Sequence, residues 1–308
     1  MSSACDYRCG YARRRFAFLA ALLMIGCHSR SANSKSAEIW KQFSGQKALD
    51  HVQDLVDLGS RPPGSEAIEK ARQYIGNRLQ ARGWKVLPQQ FVDNTPRGPV
   101  QFVNIIARFG AAAPSFLLCS HYDTKVFEDM RFVGANDGGS STGLLLELAR
   151  VLAAHPELAA KIQLVFFDGE EAYEQFSAHD GLYGSRHFAD ELAGRTAHQF
   201  RGGMLFDMVG DRSLDITLPV DSPAEIARDL FASADALGLR KYFTYFGSGS
   251  VTDDHTPLNS IGIPTIDVID FDYAWWHTAN DTMDKLSADS LQIVGSVALY
   301  YLVNFAFK

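Results

Sequence analysis

Four short apolar runs, at 115–119, 162–167, 203–208 and 265–269, constrain this 308-residue chain more than any other feature. A strand with one wet face alternates apolar and polar residues. These runs are apolar nearly throughout, so both of their faces must be covered. A helical pattern at 143–154 separates the first two runs. Apolar runs alternating with helices predict a single α/β domain whose mixed, mostly parallel central sheet carries helices on both faces. Upstream, 39–58 reads as one amphipathic helix with Val52, Leu55 and Val56 on its apolar side, ended by Gly59. A second helix spans 65–82, with Ile68, Ala71, Tyr74, Ile75 and Leu79 on one face. "WKVLPQQFV" and "VQFVNIIARF" read as paired strands. No internal repeat is present.

In sheets of this kind ligands collect beyond the carboxyl ends of the strands. The first run leads into His121, Tyr122 and Asp123, and the second into "DGEE", Asp168 to Glu171. The third ends at Asp207, and the fourth leads through a loop to "YAWWHTANDT" with His277. The loop "RFVGANDGGSSTG" presents Asp137 at the start of the 143–154 helix. Any one of these residues has an ordinary structural reading, because acids are common in turns and near helix starts. Their convergence on one rim favours a cation. Histidine with carboxylates is a donor set that suits zinc. A dication also accounts for two adjacent glutamates at the lip of a buried strand: one binds the ion while the other stays free as a general base.

The charge balance of −7 with 21% charged residues carries no basic stripe, which argues against nucleic acid as a partner. Arg13, Arg14 and Arg15 precede ten apolar residues, Phe16 to Ile25, and then Gly26 and Cys27. This is the charged region and short apolar core of a secretory signal, too short to span a bilayer, which takes about 20 residues. "MIGC" is similar to the bacterial lipoprotein processing box. Residues 1–27 are therefore expected to be a signal segment, 28–37 a serine-rich polar linker and 38–308 the catalytic domain. The protein is expected to be exported to the periplasm or cell envelope, touching membrane only through a lipid on Cys27. Cys5, Cys9 and Cys27 lie in that leader, so Cys119 has no partner in the mature chain.

"LLCSHYDTK", "FVGANDGG", "FFDGEEA", "LYGSRHFA", "TDDHTPL" and "WHTANDT" together resemble the metal-dependent glutaminyl cyclases, a branch of the zinc aminopeptidase superfamily. The resemblance runs from about Ile39 to the C-terminus. It implies a zinc aminopeptidase-like fold, one zinc ion held by Asp137, Glu171 and His277, and Glu170 as the acid/base. Asp207 and Asp253 would form a carboxylate network beside Glu170, and Trp276 and Phe176 would line the substrate pocket. The substrate would be the N-terminal glutamine of a peptide or protein. The sibling aminopeptidases hold two metals, adding ligands at positions matching His121 and Asp207, and both residues are present. Asp253, where those enzymes usually carry serine, favours the cyclase. A binding module that keeps only the fold ranks third. Asp123 is expected to orient His121, and Asp254 and His255 to bond loop backbone.

Overall fold

The computed structural model of the chain describes residues 38–245, 247 and 249–308. The basic run, the apolar stretch, Cys27 and the linker lie outside them. The central sheet has six strands: β1 Lys85–Thr95, β2 Gly98–Arg108, β3 Phe116–His121, β4 Ile162–Phe167, β5 Gly202–Asp207 and β8 Thr265–Ile269, in the order β1-β2-β4-β3-β5-β8. β1, β2 and β4 pair antiparallel, whereas β4, β3, β5 and β8 run parallel. A mixed, mostly parallel sheet is what the apolar runs predicted. Two further strands, β6 Ile216–Leu218 and β7 Phe243–Tyr245, form a small parallel pair.

Helices α1 Gly45–Val56, α2 Glu66–Gln80, α3 Ser141–Ala153, α4 Pro156–Ala159, α5 Tyr183–Leu192, α6 Ala224–Ala236, α7 His255–Ser260 and α8 Ala288–Tyr301 complete the fold. The strand alternation decides which helix covers which face. Phe116, Leu118, Ile162, Leu164, Phe166, Met204, Phe206, Ile266 and Val268 pack against α1, α2, α3, α6 and α8. Leu117, Cys119, Val165, Phe167 and Leu205 point the other way, onto α5 and α7. Each fully buried Leu, Ile or Phe contributes about 1.5–3 kcal/mol. The two layers therefore fix the register of the parallel strands and bring their carboxyl ends level.

One expectation is corrected. Residues 39–58 are not one helix: a short turn at Ile39–Gln42 is followed by α1, which starts at Gly45. Ser44 makes the break, its hydroxyl accepting from Lys47 N and its own amide donating to the buried Glu147 carboxylate. Among the described residues no helix is long and apolar enough to cross a membrane, and Cys119 is free and buried.

Candidate metal centre and active site

The residues singled out in the sequence meet at the carboxyl edge of the parallel strands. His121 ends β3, Glu170 and Glu171 follow β4 by way of Asp168 and Gly169, and Asp207 ends β5. The turn Ala135–Ser140 brings Asp137, the loop before α7 brings Asp253, and the loop after β8 brings His277. Asp137, Glu170, Glu171, Asp207, Asp253 and His277 line one cavity of about 230 Å³, with Phe176, Phe271 and Trp276 among its walls. A larger hollow of about 560 Å³, between Ile39, Pro156 and Phe307, contains none of these acids.

Local backbone geometry explains how the acids are aimed. Gly138 has φ 73°, and a Cβ there would lie 2.6 Å from Asp123 O and 2.9 Å from His121 Cε1. Only glycine lets the Asp137 turn close against β3. Asp281 anchors the same turn: its carboxylate accepts from Asn136 N at 2.8 Å, Asp137 N at 3.1 Å and the Tyr273 hydroxyl at 2.8 Å. Asp123 faces His121 Nδ1 at 3.4 Å, the orienting contact expected from sequence. It also accepts from the amides of Glu170 at 3.1 Å and Glu171 at 3.4 Å, so one carboxylate positions both glutamates. His277 takes φ 54°, a left-handed conformation unusual for a non-glycine residue. Its ring stacks on Trp276 at 4.2 Å between centroids.

Two groups of donors that share Asp137 could hold an ion, each with its atoms within 4.8 Å of one another: Asp137, Glu171 and His277, and His121, Asp137 and Asp207. In the first, His277 Nε2 lies 3.4 Å from Asp137 Oδ2 and 3.2 Å from Glu171 Oε2. Donors about 2.05 Å from a tetrahedral zinc stand about 3.3 Å apart, so this trio has the required spacing. Asp137 Oδ2 and both Glu171 oxygens are buried and accept no hydrogen bond, which leaves them available to a cation. In the second group His121 Nε2 is 3.3 Å from Asp137 and 3.2 Å from Asp207.

The electrostatics separate the acids. Burial, then the Asp253 charge, push Glu170 well above the usual carboxylate range. Burial and Asp137 bring Glu171 to about 7, with His277 pulling the other way. Burial also raises Asp137, but His121 and His277 outweigh it and hold that carboxyl low. Burial and Asp207 push Asp253 well up. Burial disfavours a charged His121, yet Asp123, Asp137 and Asp207 outweigh it and keep the ring's pKa well above its ordinary value.

Two side chains depart from expectation. The Asp254 carboxylate is buried and bonds no loop backbone, and the polar side chain nearest it is Ser185 on α5. His255 turns toward the strand instead, its Nδ1 3.5 Å from Asp267 Oδ2. Reading the sequence missed Asp281, Phe271, Asp267 and the fully buried Arg61. Asp267 did leave a signal, as a charge inside the apolar run "PTIDVI". Asp281 sits in the quoted "WHTANDT", where no local pattern marks it.

Comparison with known proteins agrees with this geometry. Residues 104–302 match Peptidase family M28. A glutaminyl-peptide cyclotransferase from Bos taurus is 31% identical over 289 residues, covering 80% of this chain and 79% of the relative. The crystal structure of an Acidobacteriales bacterium glutaminyl cyclase superposes with a TM-score of 0.79 at 35% identity, covering 85% of this chain and 94% of that one. A Zn-dependent exopeptidase from Parabacteroides distasonis superposes equally well, TM-score 0.79, at 27% identity, covering 85% of this chain and 99% of that one. By sequence, fold and the arrangement of its acids, the chain belongs to the glutaminyl-peptide cyclotransferase family, within Peptidase family M28.

Proposed function

We propose that this protein is a zinc-dependent glutaminyl-peptide cyclotransferase, which converts the N-terminal glutamine of a peptide to pyroglutamate and releases ammonia. The observation that carries the reading is the carboxylate group of Glu170, Asp207 and Asp253 beside the Asp137, Glu171 and His277 donors, on the floor of one aromatic-walled cavity. Asp137, Glu171 and His277 would hold one zinc ion. Bound there, zinc supplies a Lewis acid for the glutamine side-chain carbonyl.

Glu170 performs the proton work. It takes a proton from the α-amine as that nitrogen bonds to the side-chain carbonyl carbon and closes a five-membered lactam. It returns the proton to the departing amide nitrogen, which leaves as ammonia. Burial and Asp253 give Glu170 the high proton affinity this role needs. The ring closure is already unimolecular, so Trp276, Phe176 and Phe271 act by confining the side chain and excluding water. Trp276 is 41% exposed at the mouth, where the rest of the peptide would leave the cavity.

His121 is the residue at which a one-metal and a two-metal site differ. Three carboxylates lie 3.2–3.4 Å from its ring nitrogens, a negative pocket that takes an imidazolium in a one-metal site or the second ion of a dinuclear peptidase. The rival reading is that peptidase, with His121 and Asp207 as ligands, and the His121, Asp137 and Asp207 spacing keeps it open to test. A single product assay separates them. Gln-initiated peptides should yield pyroglutamyl peptide and ammonia, and Leu-initiated peptides should stay intact. Steady release of free leucine, with no pyroglutamate formed, would assign the chain to the aminopeptidases.

We also propose that residues 1–27 direct export and that Cys27 carries lipid, on the strength of the arginines, the short apolar run and Gly26-Cys27. Cys27→Ala should free the protein from membranes or block its processing. A mature N-terminus elsewhere than Cys27 refutes lipidation.

A further inference from the structure

A third group of donors lies apart from the two around Asp137. Asp253 precedes α7, His255 opens it, and Asp267 comes from β8 on the face that α7 covers. Each offers one atom, and these atoms lie within 4.8 Å of one another. Asp253 also lines the substrate cavity, whereas His255 and Asp267 do not. All three are buried, with relative exposures of 3%, 4% and 0%.

The hydrogen bonds leave this group incomplete. Asp253 Oδ1 accepts from Asp254 N at 2.5 Å, but Asp253 Oδ2, His255 Nδ1 and both Asp267 oxygens have no hydrogen-bond partner. Among the described residues, neither Asp253 nor Asp267 forms an ion pair with a lysine or arginine. Buried acceptors without partners are costly, at about 1–3 kcal/mol each and more for charged groups. The cluster therefore needs an electrophile, and the candidates are shared protons or a cation.

Spacing and donor type decide between them. His255 Nδ1 and Asp267 Oδ2 stand 3.5 Å apart, long for a hydrogen bond to a carboxylate. The separation is close to the 3.2 and 3.4 Å that His277 keeps from Glu171 and Asp137. It is also near the roughly 3.3 Å between two donors on a tetrahedral zinc. Calcium and magnesium prefer six or more oxygens, which a site of two carboxylates and an imidazole does not supply.

We propose that Asp253, His255 and Asp267 bind a first-row divalent cation, zinc by their donor chemistry, at a site separate from Asp137, Glu171 and His277. The ion joins β8 to the start of α7 and fixes Asp253 from behind, so that its other oxygen remains on the Asp254 amide. This site does not depend on which reaction the cavity catalyses.

The test is metal content at a buffered, saturating zinc concentration, read by elemental analysis on the folded full-length domain. Wild-type protein should hold at least two equivalents. Asp267→Asn should hold one fewer, and Glu171→Gln should lose a different one, so that the double variant loses both. His255→Gln, which keeps a neutral side chain of similar reach, replaces Asp267→Asn should that variant fail to fold. His121→Asn should keep the extra equivalent, which separates this site from a dinuclear centre at His121 and Asp207. Wild-type protein with one equivalent or fewer overturns the proposal without any variant. So does an Asp267→Asn protein with wild-type metal content, which would mean that the cluster holds protons. Neither result touches the cyclase reading, whose failure would appear in the peptide products.

Discussion

Replacing Asp281 by asparagine tests whether the turn that carries Asp137 is held for the sake of a metal. The Asp281 carboxylate accepts from the amides of Asn136 and Asp137 and from the Tyr273 hydroxyl. Asparagine keeps one acceptor oxygen and turns an NH2 toward an amide that needs an acceptor. Groups that orient metal ligands typically cost 10–100-fold in affinity when removed, or about 1.4–2.7 kcal/mol. Because bound zinc stabilises only the folded state, that energy is subtracted from the zinc-induced rise in melting temperature. At about 2 °C per kcal/mol for a domain of this size, the rise should shrink by about 3–5 °C. The metal-free protein should behave differently. Burial and the Asp137 charge push Asp281 up to about 7, from an ordinary 3.8. An acid raised on folding favours the folded state most below about pH 4, and that contribution fades as pH climbs through 7. Asparagine escapes this loss, so the metal-free variant should melt no lower than wild type above pH 7. Differential scanning fluorimetry at buffered zinc, together with competition against a chromophoric chelator, measures both quantities. A zinc affinity within twofold of wild type would refute the idea that Asp281 works through Asp137.

Three other outcomes are expected. Glu171→Gln should lose zinc, whereas Glu170→Gln should keep zinc and fold but lose about 10²- to 10⁴-fold in turnover, and equal metal content and equal residual rates in the two would sink the division of labour. Burial pulls the His277 imidazole down, but Asp137 and Glu171 outweigh it and push it to about 9. Zinc must displace that proton, so affinity should rise about tenfold per pH unit between about 7 and 9 and level off above, and calorimetry should register proton release. Arg61, buried and without an ion-pair partner among the described residues, donates to the carbonyls of Leu55, Gly59, Tyr122, Val133 and Gly134 at 2.8–3.4 Å. Arg61→Met should cost about 3–5 kcal/mol in chemical unfolding, and a loss below 1 kcal/mol would show that water replaces the guanidinium.

The parallel core was legible in the sequence because strands covered on both faces must be apolar throughout, and few other elements of that length are. The donors were legible because α/β sheets place ligands at one edge, so His121, Asp137, Glu171, Asp207 and His277 could be grouped before their distances were known. What escaped is whatever acts across long stretches of chain with no local pattern. Arg61 reaches Gly134 across 73 residues, and Asp281 reaches Asn136 across 145. Neither leaves a periodicity. β6 and β7, three residues each, are too short to show an alternation. His255 was misjudged because the side chain it faces, Asp267, comes from β8, a separate element with no sequence pattern linking the two.

The stretch "DGEE" condenses the physical argument of the site. Three acids within four residues could not share one environment, and the fold gives each its own. Asp168 turns back to the sheet, where it accepts from Val103 N at 2.7 Å and from Arg72 at 2.6 Å. Arg72 in turn donates to the Tyr122 hydroxyl, which tethers α2 to the loop after β3. Gly169, at φ 73°, reverses the chain so tightly that a Cβ would lie 2.4 Å from the Phe102 ring. Beyond it the glutamates diverge. Glu171 meets His277 at 3.2 Å and Lys125 at 3.7 Å, positive neighbours that favour its charge. Glu170 is buried in the negative field of Asp253, and together these outweigh the pull of His121 and favour its proton. Environments that split adjacent carboxylates in this way make one a ligand and the other an acid/base. The assignment of roles therefore follows from what each side chain faces, and swapping the two environments would swap the roles.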